Sequence, residues 1–545
     1  MAKRTLPLPL VLLLLATCKE TLTNTSPTNP QSVAVLTQHN DNTRSGWNDH
    51  ETALTTSNVN VRQFGAVFTL PVDDQVYAQP LVVGHVSVGG GDRNVVYIAT
   101  VNNTLYAYDG DNGRLYWQRS FTAPGMRPPR NTDIAGAPCG GSYQDFSGNI
   151  GIVGTPVIDA ARETMYFVAR STTGSTFLQH LHAVNIVDGN EIAGSPTEIT
   201  ATYSGNGDGS VQGVIAFDAH RQNQRQGLTL LNGIVYVTFS SHCDWGPYHG
   251  WILGYDAATL RQQIVYNATP NGYAGGMWES GTGMAADAEG NLYVVTGNGT
   301  VGDTGDPTSP TNRAESALKL TPAGSTLRVA SYFTPHNYQF LNDYDLDYGG
   351  MGGFLIPNSG YYLTGAKDGN LYLLNKDDMG GYLPSSNQVQ QVVPLGGSAN
   401  VHCQAAYYKG TSKEFIYVWS ENDPLRAIPF DRASNLLDPQ RQVVSSVGPT
   451  GQSGAVLSVS SNGSKDGTGI LWASYAFSGD AEHNVSPGIL RAFDANDVTK
   501  ELWNNRQNVS RDGAGNYAKF ASPTIADGHV YLPTFSKRVV VYGLR

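Results

Sequence analysis

One phrase recurs along the whole chain, and it limits the fold more than any other feature. Its clearest copy spans residues 75–119. Ala78-Gln-Pro-Leu-Val-Val and Asn94-Val-Val-Tyr-Ile-Ala-Thr are followed by Asn103-Thr-Leu-Tyr-Ala-Tyr-Asp, a turn at Asp111-Asn112-Gly113, and a last run carrying Trp117. Period-two alternation broken by Asp/Asn-Gly turns marks antiparallel hairpins. Further copies begin near residues 156, 227, 281, 352, 404, 454 and 523. A spacing of roughly 50–76 residues suits one four-stranded blade with its loops. A unit that cannot bury its apolar face alone must stack on its neighbours. The expectation is therefore an all-β chain, a single eight-bladed β-propeller over residues 36–545. The eighth copy reaches Arg545 without a fourth strand, while residues 63–70 supply a spare strand ahead of the first copy. Pairing the two closes the ring and removes both sheet edges. The sixth copy is the faintest, which leaves seven blades as the alternative.

Composition agrees with a turn-rich β architecture. The 545 residues include 62 Gly and 29 Tyr, with 40% hydrophobic and only 14% charged. A disordered chain would be poorer in aromatics and richer in charge. The net charge is −11 and no basic block occurs, which argues against nucleic acid as a partner. Four cysteines in this length cannot form a disulfide scaffold.

The N-terminus reads as an address. Lys3 and Arg4 precede an apolar run from Leu6 to Ala16 that is too short to span a bilayer. Leu15-Ala16-Thr17-Cys18 resembles a bacterial lipobox, which implies a signal peptide over 1–17 and lipidation of Cys18. An ordinary cleaved signal is the other reading. The Thr/Asn/Ser/Pro-rich stretch over 18–35 reads as a flexible tether. The expected location is outside the cytoplasm, probing periplasm or cell surface from a lipid anchor, with the outer membrane favoured.

The Tyr-Ala-Tyr-Asp…Asn-Gly…Trp phrase resembles the repeat of pyrroloquinoline quinone (PQQ) propellers, the quinoprotein alcohol dehydrogenase-like superfamily. His39-Asn-Asp-Asn-Thr-Arg-Ser-Gly and Ala78-Gln-Pro-Leu are similar to secreted bacterial members, and the resemblance covers about residues 36–545. It implies PQQ and Ca²⁺ as cofactors. The segment holding Trp278 and Asn298 resembles the family's stretch with the quinone-stacking Trp and a calcium-ligand Asn. Thr334-Pro-His336…Asp347 resembles the segment of the proposed base, with Asp347 in the base's place after a longer insertion. Gly365-Ala-Lys367 resembles the strand supplying the cation that polarises the quinone. Cys243-Asp244 resembles the loop with the calcium-ligand Glu, Asp244 being one carbon shorter. The resemblance thus implies Asp347 and Lys367 as catalytic, Trp278, Asn298, Asp244 and Lys367 as cofactor-binding, and Asp244, Asn298 and Asp347 as calcium ligands. The family's adjacent cysteines are missing, since Cys139 stands alone, and no Cys-x-x-Cys-His haem motif occurs.

Each of these residues has a plainer reading. Trp278 suits a packed ring between blades, Asn298 a turn residue, Lys367 a surface charge, and the acidic run ending at Asp347 a structural cation site or solvated turn. His242, Cys243, Asp244 and His249 are a weaker transition-metal cluster. With Cys18 lipidated, Cys139, Cys243 and Cys403 remain, and at least one stays unpaired or joins another chain. Two functions follow. The chain is a Ca/PQQ-dependent dehydrogenase of alcohols or sugars with an external electron acceptor, or a non-catalytic propeller lipoprotein. In the second case its loop face, with insertions at 300–315, 384–398 and 478–488, binds a protein or glycan.

Overall fold

A computed structural model of the chain describes Met1 and residues 34–134, 136–138, 148–396, 399–448, 451–479 and 481–545. The signal segment, Cys18, most of the tether and Cys139 lie outside the described residues. Residues from Ser32 to Arg545 form one compact unit. In it, eight antiparallel sheets follow one another in chain order. Their innermost strands are Leu81–Val88, Val157–Asp159, Thr229–Leu231, Ala285–Ala286, Phe354–Leu355, Ala406–Lys409, Val456–Ser460 and Thr524–Ala526. The blade count is eight, and the faint sixth copy is a full blade. Its outer edge is two short strands, Leu436–Leu437 and Val443–Val444, both paired to Arg426–Asp431. A 3-10 turn at Pro439–Arg441 divides them, which blurs the alternation in the sequence.

The ring closes as the repeat arithmetic requires. Phe64–Pro71 pairs antiparallel with Arg538–Leu544, Phe64 opposite Leu544 and Pro71 opposite Arg538. Phe64 is fully buried and meets Trp503 edge-on at 5.0 Å, with Trp472 5.5 Å away. Aromatic rings fill the spaces between blades in the same way elsewhere.

A second device was not legible in the repeats. Residues 35–48 run past the innermost strand of every blade and bond to each. Val35 exchanges backbone bonds with Val82, Ile158 N–H donates to Leu36 O (2.9 Å), and the Asn42 amide donates to Leu230 O (2.8 Å). Ala286, Leu355, Tyr407 and Val459 donate their N–H groups to the carbonyls of Asn42, Thr43, Ser45 and Gly46 at 2.7–2.9 Å. The Asn48 amide reaches Ile525 O at 2.8 Å. The inner strand edges would otherwise leave backbone groups unpaired around the channel. The segment turns on left-handed residues, His39, Asn40 and Arg44, with φ of 55°, 75° and 63°. Arg44 is completely buried and spends its guanidinium on Met284 O, Thr37 Oγ1, Gln38 O, Leu228 O and Thr229 Oγ1, at 2.7–3.1 Å. Burial lowers its pKa to about 10 despite nearby Asp41 and Glu279.

Candidate functional site

Antiparallel order puts two kinds of loop at the same end of every blade. These are the loop from the second to the third strand and the link from the outer strand into the next innermost strand. Asp244 lies between Ile234–Ser241 and Trp251–Asp256, the middle strands of blade three. Trp278 lies on the link into blade four, and Asn298 between that blade's Leu292–Val295 and Ala317–Ala323. Asp347 is on the link into blade five, and Lys367 between Tyr361–Gly365 and Asn370–Asn375. All five therefore belong to one end of three consecutive blades.

Asp347 is buried, and both of its oxygens are held. Oδ1 accepts the Asn298 N–H at 2.9 Å, and Oδ2 lies 2.6 Å from the Lys367 ammonium. Burial alone would raise this carboxyl, but Lys367 and the Asn298 N–H override it and keep it below its ordinary value. Lys367 also reaches Asp345 Oδ2 at 3.3 Å and Asp345 O at 3.2 Å. Burial would lower its pKa, yet the two aspartates raise it above the usual lysine range. The Asn298 amide donates to Asp345 Oδ1 at 2.7 Å, which leaves its own Oδ1 a buried acceptor with no donor.

Asp244 joins this group electrostatically. As a residue it is exposed, but its carboxyl lies amid protein and accepts a bond from the Tyr248 hydroxyl. Burial, then the negative charge of Asp347, pushes it up to about 6. Trp278 is half-buried, with Tyr248 edge-on at 6.4 Å. A Cβ at Gly297 would stand 2.8 Å from its Cδ1 and 2.5 Å from Asp347 Oδ1, so a glycine is needed between them.

Sequence reading missed three neighbours. Arg225 donates from Nε to Trp278 O at 3.0 Å, and its guanidinium lies 5.4 Å from the Trp278 ring and 4.7 Å from that of Phe520. Glu315 is buried, accepts the Tyr348 N–H at 2.7 Å, and is raised well above its ordinary value by burial and then by Asp347. His402 is buried beside Gln452 at 3.0 Å. Burial and then the charges of Lys367 and Arg225 hold it neutral, far below its usual pKa. Only long-range packing brings these groups in, and no local pattern marks them.

The histidine cluster expected as a transition-metal alternative does not assemble. Cys243 is disulfide-bonded. His249 bonds Thr269 O and Asp208 O at 3.0 and 2.8 Å, while Arg170 lies 2.8 Å from His242 Nε2. Cys403 is a buried free thiol. Among the described residues, no group of three or more His, Cys, Asp or Glu is placed to hold a metal. A mixed oxygen site is a different case. The orphaned Asn298 Oδ1 beside the Asp347 carboxylate, with Asp244 nearby, is a donor set that fits a hard cation completed by a ligand's own oxygens.

A family model described as outer membrane protein assembly factor BamB, of the PQQ_2 type, matches residues 42–136. Among curated proteins, none matches the chain by sequence. The fold is similar to a quinohemoprotein alcohol dehydrogenase from Pseudomonas putida HK5, with a TM-score of 0.60 and 12% identity over 95% of this chain and 80% of that one. It is also similar to the quinohemoprotein alcohol dehydrogenase from Comamonas testosteroni, with a TM-score of 0.56 and 12% identity over 94% and 80%. Identities this low speak to fold, not to chemistry. By its eight closed blades the chain is a β-propeller, with the fold of these quinohemoprotein dehydrogenases and a PQQ_2-type match confined to residues 42–136.

Proposed function

We propose that the mouth formed by blades three to five binds PQQ with a calcium ion, and that the protein is an extracytoplasmic dehydrogenase of alcohols or sugars. The observation that carries this is the buried, ionised Asp347 held between Asn298 and Lys367 beside the half-exposed Trp278. Trp278 would stack a flat ring, Lys367 would face its oxygens, and Asp244, Asn298 and Asp347 would hold the cation. A bound quinone supplies the hydride acceptor, and calcium polarises it. The chain's own part is proton handling. Asp347 Oδ2 takes the substrate hydroxyl proton, in competition with the Lys367 ammonium that holds it ionised at rest. Electrons leave to an external acceptor. The signal over 1–17, the lipidated Cys18 and the tether to residue 35 would anchor the propeller by lipid alone. Among the described residues, no helix is long and apolar enough to cross a membrane.

The test is titration with PQQ in calcium buffer, followed by Trp fluorescence and by reduction of the bound chromophore with an alcohol and sugar panel. Saturable quenching lost in Trp278→Ala supports the reading, and absence of binding removes it. The matched assembly-factor repeat favours a second reading, a non-catalytic scaffold that binds a protein or glycan on its loop face.

A further inference from the structure

The insertion that separates His336 from Asp347 folds into a short helix, Tyr338–Asp343, beside the mouth. Its buried Leu341 anchors it, and the Asn342 side chain accepts the Gly299 N–H at 2.6 Å, next to Asn298. The helix leaves Phe340 and Tyr344 outside, 50% and 67% exposed, with ring centroids 4.6 Å apart. Tyr273, 49% exposed, stands on the neighbouring loop, its N–H on the Thr300 hydroxyl at 3.1 Å. Among the described residues, the strongly exposed aromatic side chains are these three and Phe477. Phe477 is capped by the Arg506 guanidinium, 3.7 Å from its ring. Three uncapped rings thus gather at one rim. Exposed aromatic surface costs solubility and usually marks a binding face.

The surroundings select the occupant. Asp343 and Asp345 are exposed beside the rings, and the Asn342 amide donates to the Tyr273 hydroxyl at 3.5 Å, which joins Tyr273 to the helix. Carboxylates and an amide match the hydroxyls of a sugar, while the rings match the C–H faces of a pyranose. An anionic membrane surface would be repelled by those carboxylates and by the net charge of −11. The same loop continues from Asp345 to Asp347, so a sugar stacked on the rim stands next to the buried carboxylate.

We infer that Tyr273, Phe340 and Tyr344 form a stacking platform for a pyranose, which makes the substrate a sugar or oligosaccharide and not a small aliphatic alcohol. The part about substrate rests on the dehydrogenase reading. The binding itself does not, so it is tested without quinone. Calorimetry of the full chain with glucose, maltopentaose and cellopentaose is compared with Phe340→Ala/Tyr344→Ala and with Tyr273→Ala. Both side chains of the double variant point to water, so its melting temperature and its PQQ titration should match wild type. The expected result is saturable binding of at least one pentasaccharide, weakened about tenfold in the double variant. Absence of binding by every sugar overturns the inference, as does equal binding by the double variant. Loss in the variant of binding to phosphatidylglycerol vesicles, with no sugar bound, overturns it in favour of a membrane contact. A PQQ titration that fails while the sugar binds would count against the dehydrogenase and leave the platform standing.

Discussion

The Lys367 ammonium lies 2.6 Å from Asp347 Oδ2, both groups being almost wholly shielded from water. Breaking such a pair leaves one charge buried without compensation, which typically costs about 3–5 kcal/mol. Lys367→Met should therefore destabilise the protein by about that amount at neutral pH. The sign with pH is informative. Asp347 is now held below its ordinary value, so its contribution is present above the unfolded pKa and lost as pH falls through the folded one. In the variant, burial is no longer countered by the ammonium and raises the carboxyl against the remaining Asn298 N–H, so the deficit against wild type should shrink at pH 4. Urea melts at pH 4 and pH 7 check this, and an equal deficit at both values would contradict it.

Asp244 shows the opposite case. Its folded pKa, about 6, lies above the ordinary value. The folded state therefore binds the extra proton, and stability falls as pH rises from about 4 through about 6. Asp244→Asn keeps an acceptor for the Tyr248 hydroxyl and removes the titration. It should melt higher than wild type at pH 7.5 and show no advantage at pH 4.

Arg44 joins blades three and four to the N-terminal segment through five donors, all on buried oxygens. Arg44→Ala should cost about 3 kcal/mol or more, because several acceptors lose their partners in a site that water does not reach. Lysine, with its point charge, should not rescue it. Thermal unfolding of the three proteins separates these outcomes.

The ring and its closure could be read from sequence because both rest on local signals. The alternation around Tyr106 and Tyr108 and the Asp111-Asn112-Gly113 turn repeat with each blade, and the strand at 64–71 was the one left over. The segment from Val35 to Asn48 carries no such signal. Its bonds are mostly backbone carbonyls, which any side chain could present, and its strained residues His39 and Asn40 are visible only as φ. At the mouth, Asp347, Lys367, Trp278, Asn298 and Asp244 could be picked out because their segments resemble those of the quinoprotein family. Arg225, Glu315 and His402 could not, since each reaches the site from another blade or another depth.

Cys18→Ser should move the protein from the membrane fraction to the soluble fraction of its producing cell, with loss of the acyl mass. Were the variant to stay with membranes while wild type carries no acyl group, the anchor assignment would fail. The propeller would then be exported by an ordinary signal.

Asp347 and Trp278 should separate chemistry from binding. Asp347→Asn keeps an oxygen for the Asn298 N–H but offers nothing to take a hydroxyl proton. Turnover of PQQ-loaded protein should fall by about a hundredfold or more, the usual scale of general base catalysis, while quinone affinity changes little. Trp278→Ala removes the ring that Arg225 and Tyr248 flank. Its main effect should be on quinone binding, with turnover recovered at saturating PQQ. Stopped-flow reduction and fluorescence titration of both variants read the two effects independently. If Asp347→Asn instead abolished binding and spared the rate of loaded protein, the carboxylate would serve as a ligand alone and not as the base.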